Sequence, residues 1–418
     1  MKAKFLVSAA MLAVLLTAPA GAQENQQWIV IGDDAASTFA STMAVVGAER
    51  QLLGTFSVVE SINGRTVMRL DPAAEGLLHA VVHVGHHRCG GYTVHPTREA
   101  ALAEASNPFY SPDFVADPDL FPRSIDQHAI VEPALDLVDG AEIIATIQML
   151  QDLGTRYYQS ENGQKAALEL QRRWEDYSAG RSDFSVSLYE HAWRQNSVIA
   201  TIQGAELPDE IVVIGAHLDS INISDQNAAP GADDDASGIA TVSEVLRVIL
   251  ESGVQPKRTL QFMAYAAEEV GLLGSGEIAL NYQSDGRRVI AALQMDMTGF
   301  AGSEENLYFV TDYVSANLTD FLQELIGEYN GPGAHQITFD ETQCGYACSD
   351  HNSWTKIGVP SAFPFEARFA DYNRHIHSPG DTLSNIDATG TNQARFAKLG
   401  LEFMIELGKS AGPPIANQ

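Results

Sequence analysis

From about residue 127 to the C-terminal region, short uninterrupted apolar runs alternate with longer stretches of helical period. The runs are SVIATI (197–202), IVVIGA (211–216), TLQFMAYA (259–266), VIAALQMDM (289–297), LYFVTD (307–312) and SAFPF (361–365). Helical stretches are read at 140–153, 163–177, 236–252 and 391–409. A strand with one wet face alternates apolar and polar residues; a strand buried on both faces reads as a continuous apolar run. The pattern therefore predicts an α/β domain: a doubly wound, mainly parallel sheet with helices on both faces. In such a sheet the ligand site lies outside the carboxyl ends of the strands.

Residues 23–105 have a different character. WIVIG (28–32) and LLHAVVHV (77–84) read as strands, and TFSVVESINGRTVMRL (55–70) as a hairpin turning at Asn63-Gly64. TREAALAEA (97–105) reads as a short helix, and the proline-rich stretch 106–126 as an exposed linker. Ahead of these, Lys2 and Lys4, the apolar stretch Phe5–Leu16 and Ala20-Gly21-Ala22 before Gln23 form a secretory signal peptide. The expected division is 1–22 signal peptide, 23–124 small α+β prosegment with its linker, and 125–418 the α/β domain. The expected location is outside the cell, with the periplasm as the other exported compartment.

Charge and cysteine use limit the partners. Lys and Arg total 25 against 54 Asp and Glu, a net charge of −29. Such a surface repels nucleic acid and anionic lipid. No segment after the signal peptide is long and apolar enough to span a bilayer, so neither nucleic acid nor membrane is expected as a partner. Cys344 and Cys348 in CGYAC read as a small disulfide loop, as two free thiols, or as a metal pair. Cys89 is left odd, in the segment expected to be removed.

The polar residues that follow the apolar runs carry the chemistry. His217 and Asp219 leave the run 211–216 and suit a metal ligand and its carboxylate partner. Asp233, Asp234 and Asp235 repel one another unless a cation compensates; one suits a helix cap and another a metal. Asp233, Asp235, Ser237, Gly238 and Glu244 also match an EF-hand calcium loop. That reading fails because DQNAAPGA cannot be the entering helix and the residues after Gly238 are themselves helical. Glu268 and Glu269 divide naturally into a base and a ligand. Asp296 and His377 add two more ligand candidates. His83, His86, His87 and Cys89 in HVGHHRC have metal-like spacing but no acidic neighbours in sequence, so structural or solvated roles are expected. Nothing near His351 assigns it a role. The chain has no GxSxG elbow, HExxH helix or Walker A loop.

Taken in order, AHLDS, PGADDDASG, AYAAEEVGL, QMDMT, CGYACSDHNSW and RHIHSPGDTL resemble the M28 family of co-catalytic zinc aminopeptidases, over residues of about 127–410. The likeness is to the secreted bacterial leucyl aminopeptidases of the Vibrio/Aeromonas type. It implies two zinc ions, with cobalt or manganese as substitutes. Asp234 would bridge them, His217 and Asp296 would complete one site, and Glu269 and His377 the other. Glu268 would be the general base, Asp219 would orient His217, and Tyr346 would stabilise the oxyanion. Cys344 and Cys348 would be disulfide-bonded. Met297, Val310, Phe363, Phe365, Phe369, Tyr372 and Ile376 would form an apolar pocket for the first side chain of a peptide substrate. The expected product is a monomer acting on peptide N-termini after prosegment removal. Two other readings share this fold: a single-zinc glutaminyl cyclase, and a non-catalytic peptide-binding protein. The complete ligand set weighs against the first and the presence of Glu268 against the second.

Overall fold

A computed structural model describes residues 27–412, except 50–54, 87, 89, 110–114, 118 and 179. The signal-peptide reading and the fate of Cys89 lie outside the described residues. The N-terminal unit runs β1 (Gln27–Gly32), α1 (Asp33–Glu49), β2 (Phe56–Ile62), β3 (Arg65–Leu70), α2 (Glu75–His79), β4 (Tyr92–His95) and α3 (Arg98–Ala105). Its antiparallel sheet has the order β2-β3-β1-β4. Asn63 and Gly64 both have positive φ, 53° and 81°, as a two-residue hairpin turn requires.

Two expectations for this half need correction. Residues 77–84 are not a strand: α2 continues into a π-helical turn, Ala80–Gly85. A short apolar run cannot by its periodicity be told from a buried helix. Here Leu77, Leu78, Val81 and Val82 fall at helical spacing and pack against Ile29, Phe39 and Met68. Nor is 106–126 simply an exposed linker. Phe121 is buried in the core of the second unit, and Asn317 Nδ2 donates to the Ala116 carbonyl at 3.3 Å. Ala116 and Phe121 thus anchor described parts of this stretch to the second unit.

The second unit comprises α4 (His128–Leu135), α5 (Gly140–Gln151), α6 (Glu161–Asp176), β5 (Phe184–Tyr189), β6 (Ser197–Ile202), β7 (Leu207–His217), α7 (Gly238–Glu251), β8 (Arg258–Tyr265), α8 (Leu273–Ser284) and β9 (Arg288–Gln294). It continues with β10 (Leu307–Val310), α9 (Ala316–Tyr329), β11 (Phe339–Thr342), α10 (His351–Thr355), β12 (Ser361–Ala362), β13 (Pro364–Phe365) and α11 (Thr391–Gly408). The central sheet has the order β12-β9-β7-β8-β6-β5. Strands β12, β9, β7 and β8 are parallel; β6 and β5 extend the sheet antiparallel.

The continuous apolar runs are explained by which way alternate side chains point. Val212, Ile214, Leu260 and Phe262 join the large core with Val245 and Ile249 of α7 and Phe403 of α11. Ile211, Val213, Met263 and Tyr265 join Ile278 and Tyr282 of α8 and Trp354 of α10 on the other face. Both faces are covered, so both sets are apolar. SAFPF divides between two sheets: β12 pairs with β9, whereas β13 pairs with β10 in a small sheet of order β11-β10-β13. Among the described residues no helix is long and apolar enough to cross a membrane.

Candidate metal centre

Strands β7, β8 and β9 lie side by side in register, with His217 opposite Tyr265 and Gly215 opposite Gln294. Their carboxyl ends are therefore level. The residues that emerge there are His217, Asp219, Glu268, Glu269 and Asp296. All are buried, although each is polar or charged.

Two groups of donor atoms converge. His217 Nε2 lies 2.9 Å from Asp234 Oδ1 and 3.6 Å from Asp296 Oδ1. His377 Nε2 lies 3.1 Å from Asp234 Oδ2 and 3.0 Å from Glu269 Oε2. Asp234 thus offers one oxygen to each group. Asp296 Oδ1, both Glu269 oxygens and His377 Nε2 are buried with no aligned hydrogen bond. His377 itself has φ of 55° and Met297, after Asp296, has φ of 61°. Left-handed backbone at non-glycine residues costs on the order of 1–3 kcal/mol and collects at functional sites.

The neighbouring residues hold these donors in place. Asp219 Oδ1 accepts the Glu268 N–H at 2.9 Å and Oδ2 accepts the Glu269 N–H at 3.2 Å. His217 Nδ1 meets the Asp219 backbone carbonyl at 3.2 Å, and Asp219 Oδ1 lies 3.5 Å from the same nitrogen. One carboxylate therefore ties the end of β8 to the end of β7. The aspartate triplet divides its labour. Asp233 accepts the Gly299 N–H and the Asn373 side-chain amide, at 3.0 and 2.8 Å. Asp235 accepts from the N–H groups of His217, Gly238 and Met297. Only Asp234 reaches both donor groups. The expected helix cap is the Asp235 contact to Gly238. Gly238 is required there, since a Cβ would sit 2.1 Å from the Met295 carbonyl oxygen.

Electrostatics point to cations. Burial pushes Glu268 well above the usual carboxylate range, and Asp350, Glu269 and Asp296 add to it. Burial and Asp234 raise Glu269 to about 7. Burial works against charge on His377, yet Glu269 and Asp234 outweigh it and lift the imidazole to about 10. Burial likewise opposes ionisation of Asp234, but hydrogen bonds from His217 and His377 hold it below the usual range. So many carboxylates without solvent need positive charge to compensate. The histidine and carboxylate donors fit zinc better than magnesium. His217, Asp296 and Asp234 would hold one ion; His377, Glu269 and Asp234 would hold the other.

Beside the donors lies an apolar cluster. Met297, Val310, Phe363, Phe365, Tyr372 and Ile376 pack together with Tyr346, Cys344 and Cys348, and Phe369 packs against them. All seven residues expected in the pocket are brought together. Cys344 and Cys348 are disulfide-bonded. Asp312 accepts the N–H groups of Cys344 and Gly345, at 2.9 and 2.8 Å, and so positions the loop carrying Tyr346. His351 stacks on Phe363 with centroids 5.2 Å apart.

Several contributors escape a reading of sequence alone. Asp381, within the quoted RHIHSPGDTL, accepts the Asp233 and Asp234 N–H groups at 2.9 and 3.1 Å. Ser349 donates to Asp296 Oδ2 at 2.5 Å. Buried Arg156 donates to the carbonyls of Leu218, Pro230 and Gly231, which pins the loop ahead of the triplet. Their signal is tertiary. His83 is the clearest correction: it is neither solvated nor without an acidic neighbour. Its ring is buried, and a ring nitrogen lies within 4.8 Å of the donor atoms of Glu269 and His377.

The strand ends of this mainly parallel sheet present two histidine–carboxylate groups that share one aspartate, a donor set that fits a metal-dependent hydrolase. The sequence comparison gives the family: residues 197–401 match the model of peptidase family M28. Leucine aminopeptidase 1 of Neurospora crassa is 41% identical over 303 residues, covering 69% of this chain and 73% of that protein. The chain belongs to peptidase family M28. The crystal structure of Legionella pneumophila LapA aminopeptidase superposes with a TM-score of 0.76 at 26% identity, covering 93% of this chain and 100% of that one. That share exceeds what residues 125–418 could supply, so the likeness extends into the N-terminal unit. A glutaminyl cyclase from Fimbriiglobus ruber matches with a TM-score of 0.51 at 18% identity, over 65% of this chain and 96% of that one, which is a likeness of fold.

Proposed function

We propose that the protein is an exported zinc aminopeptidase that removes large apolar residues, leucine among them, from peptide N-termini. The observation that carries this reading is Asp234, set between the His217–Asp296 and His377–Glu269 groups, with Glu268 buried beside them. When bound, two zinc ions would supply Lewis-acid polarisation of the scissile carbonyl and a water acidic enough to attack near neutral pH.

The chain's own residues do the rest. Glu268 takes the proton of the attacking water and gives it to the leaving amine; its carboxyl group, shielded from solvent, is suited to holding a proton. Asp219 keeps Glu268 and Glu269 in place through their backbone N–H groups. The Tyr346 hydroxyl, on the disulfide loop, stabilises charge developing on the carbonyl oxygen. Met297, Val310, Phe363, Phe365, Phe369, Tyr372 and Ile376 take the first side chain. The name of the Neurospora relative supports leucine preference. Residues 1–22 direct export, and 23–124 are removed as a prosegment to leave a monomer.

A panel of chromogenic aminoacyl substrates, measured on the chain cut near residue 125 with and without chelator, tests reaction and preference together. Chelator-sensitive release is expected, fastest for leucyl and other large apolar residues. Release unaffected by full metal removal, or cyclisation of N-terminal glutamine as the dominant activity, would overturn the reading.

A further inference from the structure

The N-terminal unit does not merely lie near the metal centre; it puts a side chain into it. His83 sits on the π-helical turn Ala80–Gly85, and 3% of its surface is exposed. Its ring packs edge-on against His377, with centroids 4.6 Å apart and planes at 82°. A ring nitrogen, the Glu269 carboxylate and the His377 ring all lie within 4.8 Å of one another. Neither ring nitrogen forms an aligned hydrogen bond, although the Arg88 backbone carbonyl interacts with the ring. A buried imidazole aimed at a carboxylate and a second imidazole has the chemistry of a ligand. Donor atoms of one zinc ion each stand about 2.0–2.2 Å from it, so these groups would draw together around a bound ion.

The surrounding contacts hold this residue in position. His79 Nε2 and the Tyr92 hydroxyl are 2.6 Å apart beneath the turn. Past it, the chain presses on the other functional side chains. A Cβ at Gly90 would stand 2.9 Å from Glu268 Oε1, so the backbone covers the base. The Arg88 guanidinium lies 4.8 Å above the Tyr346 ring while paired with Asp34 at 2.6 Å. Base, oxyanion donor and one metal group are each covered by this one segment.

We propose that His83 is a metal ligand in the full-length chain, completing a closed four-ligand site with His377, Glu269 and Asp234. Zinc sites with four protein ligands are structural, whereas catalytic ones keep a position for water or substrate. His83 takes the exchangeable position on one ion of the pair, and departure of the N-terminal unit opens it. The inference rests on the two-metal reading of the site.

The test uses the full-length chain loaded with cobalt and read by X-ray absorption and visible spectroscopy. Two bound ions with three coordinated imidazoles, from His217, His377 and His83, are expected. In His83→Ala the count falls to two, the visible bands shift, and the ion is lost to chelator about 10–100 times faster. Added imidazole restores the bands. Two ions with only two imidazoles in the wild-type chain would overturn the assignment, as would a His83→Ala spectrum and chelator rate equal to wild type. Should His83→Ala fail to fold, the wild-type imidazole count decides. Binding of fewer than two ions would instead refute the two-metal reading, so the two failures are distinct.

Discussion

Glu268 and Glu269 are chain neighbours with different surroundings. Glu269 reaches His377, while neither oxygen of Glu268 meets a hydrogen-bond donor. The substitution Glu268→Ala is therefore expected to leave both metal ions bound and to lower kcat by about 10²–10⁴. Metal analysis alongside steady-state rates checks it; loss of metal would make Glu268 a ligand instead. Asp219 acts through other groups, so Asp219→Asn should weaken metal affinity roughly 10–100-fold. Titration with a competing chelator measures that, and unchanged affinity would remove the orienting role. The residues named from sequence at this scale were those that sit in recognisable strings next to strand ends. Asp381 and Ser349 lie inside quoted strings and Arg156 outside them, yet no local pattern gives any of the three a role at the centre they hold.

Elements show where periodicity informs and where it fails. The runs at β7, β8 and β9 were readable because burial on both faces makes every position apolar. The run 77–84 is just as apolar but is helical, because its neighbours in space are a sheet and α1 rather than flanking strands. Helix α7 begins against the end of β9, and the close approach there depends on Gly238. Gly238→Ala is expected to destabilise the domain by about 1–3 kcal/mol, as overpacking does. Denaturant unfolding would show it as a lower midpoint with unchanged slope. The Cys344–Cys348 disulfide closes a very short loop, worth about 2 kcal/mol in a chain-entropy account. Cys348→Ser should consequently cost more activity than stability, since the loop carries Tyr346. Equal melting with full activity would deny the loop a positioning role.

Across the whole molecule, the two units meet at a buried ion pair. Lys356 Nζ lies 3.0 Å from Glu104 Oε2, and His95 lies 3.0 Å from the same oxygen. Arg65 donates to the Glu104 carbonyl. Burial would raise the Glu104 carboxyl, but Lys356 and His95 outweigh it and hold it below the ordinary value of 4.5. A carboxyl with a lower value when docked than when free binds more protons once released. Docking through this pair is thus complete above about pH 4.5 and weakens as the pH falls below it. Hydrogen exchange around Ala116 and Phe121 and at β4 should rise in acid, and Glu104→Gln should flatten that dependence. A chain cut near residue 125 should be more active than the full chain at neutral pH. Equal activity would deny the N-terminal unit an inhibitory role.

The sequence by itself determined the α/β class and the ligand candidates at the ends of the apolar runs, while the apolar pocket residues came from the family resemblance. The first two are written locally, as an unbroken apolar run and a polar string at its end. The resemblance implied Asp234 as the shared aspartate, and only the tertiary structure supplied the reason: Asp233 and Asp235 are taken up by backbone N–H groups of Gly299, Met297 and His217 from distant strand ends. Only it brought His83 to Glu269 and His377. Nothing local in HVGHHRC signals that contact, because its acidic partner lies far along the chain and meets it only when the two units pack.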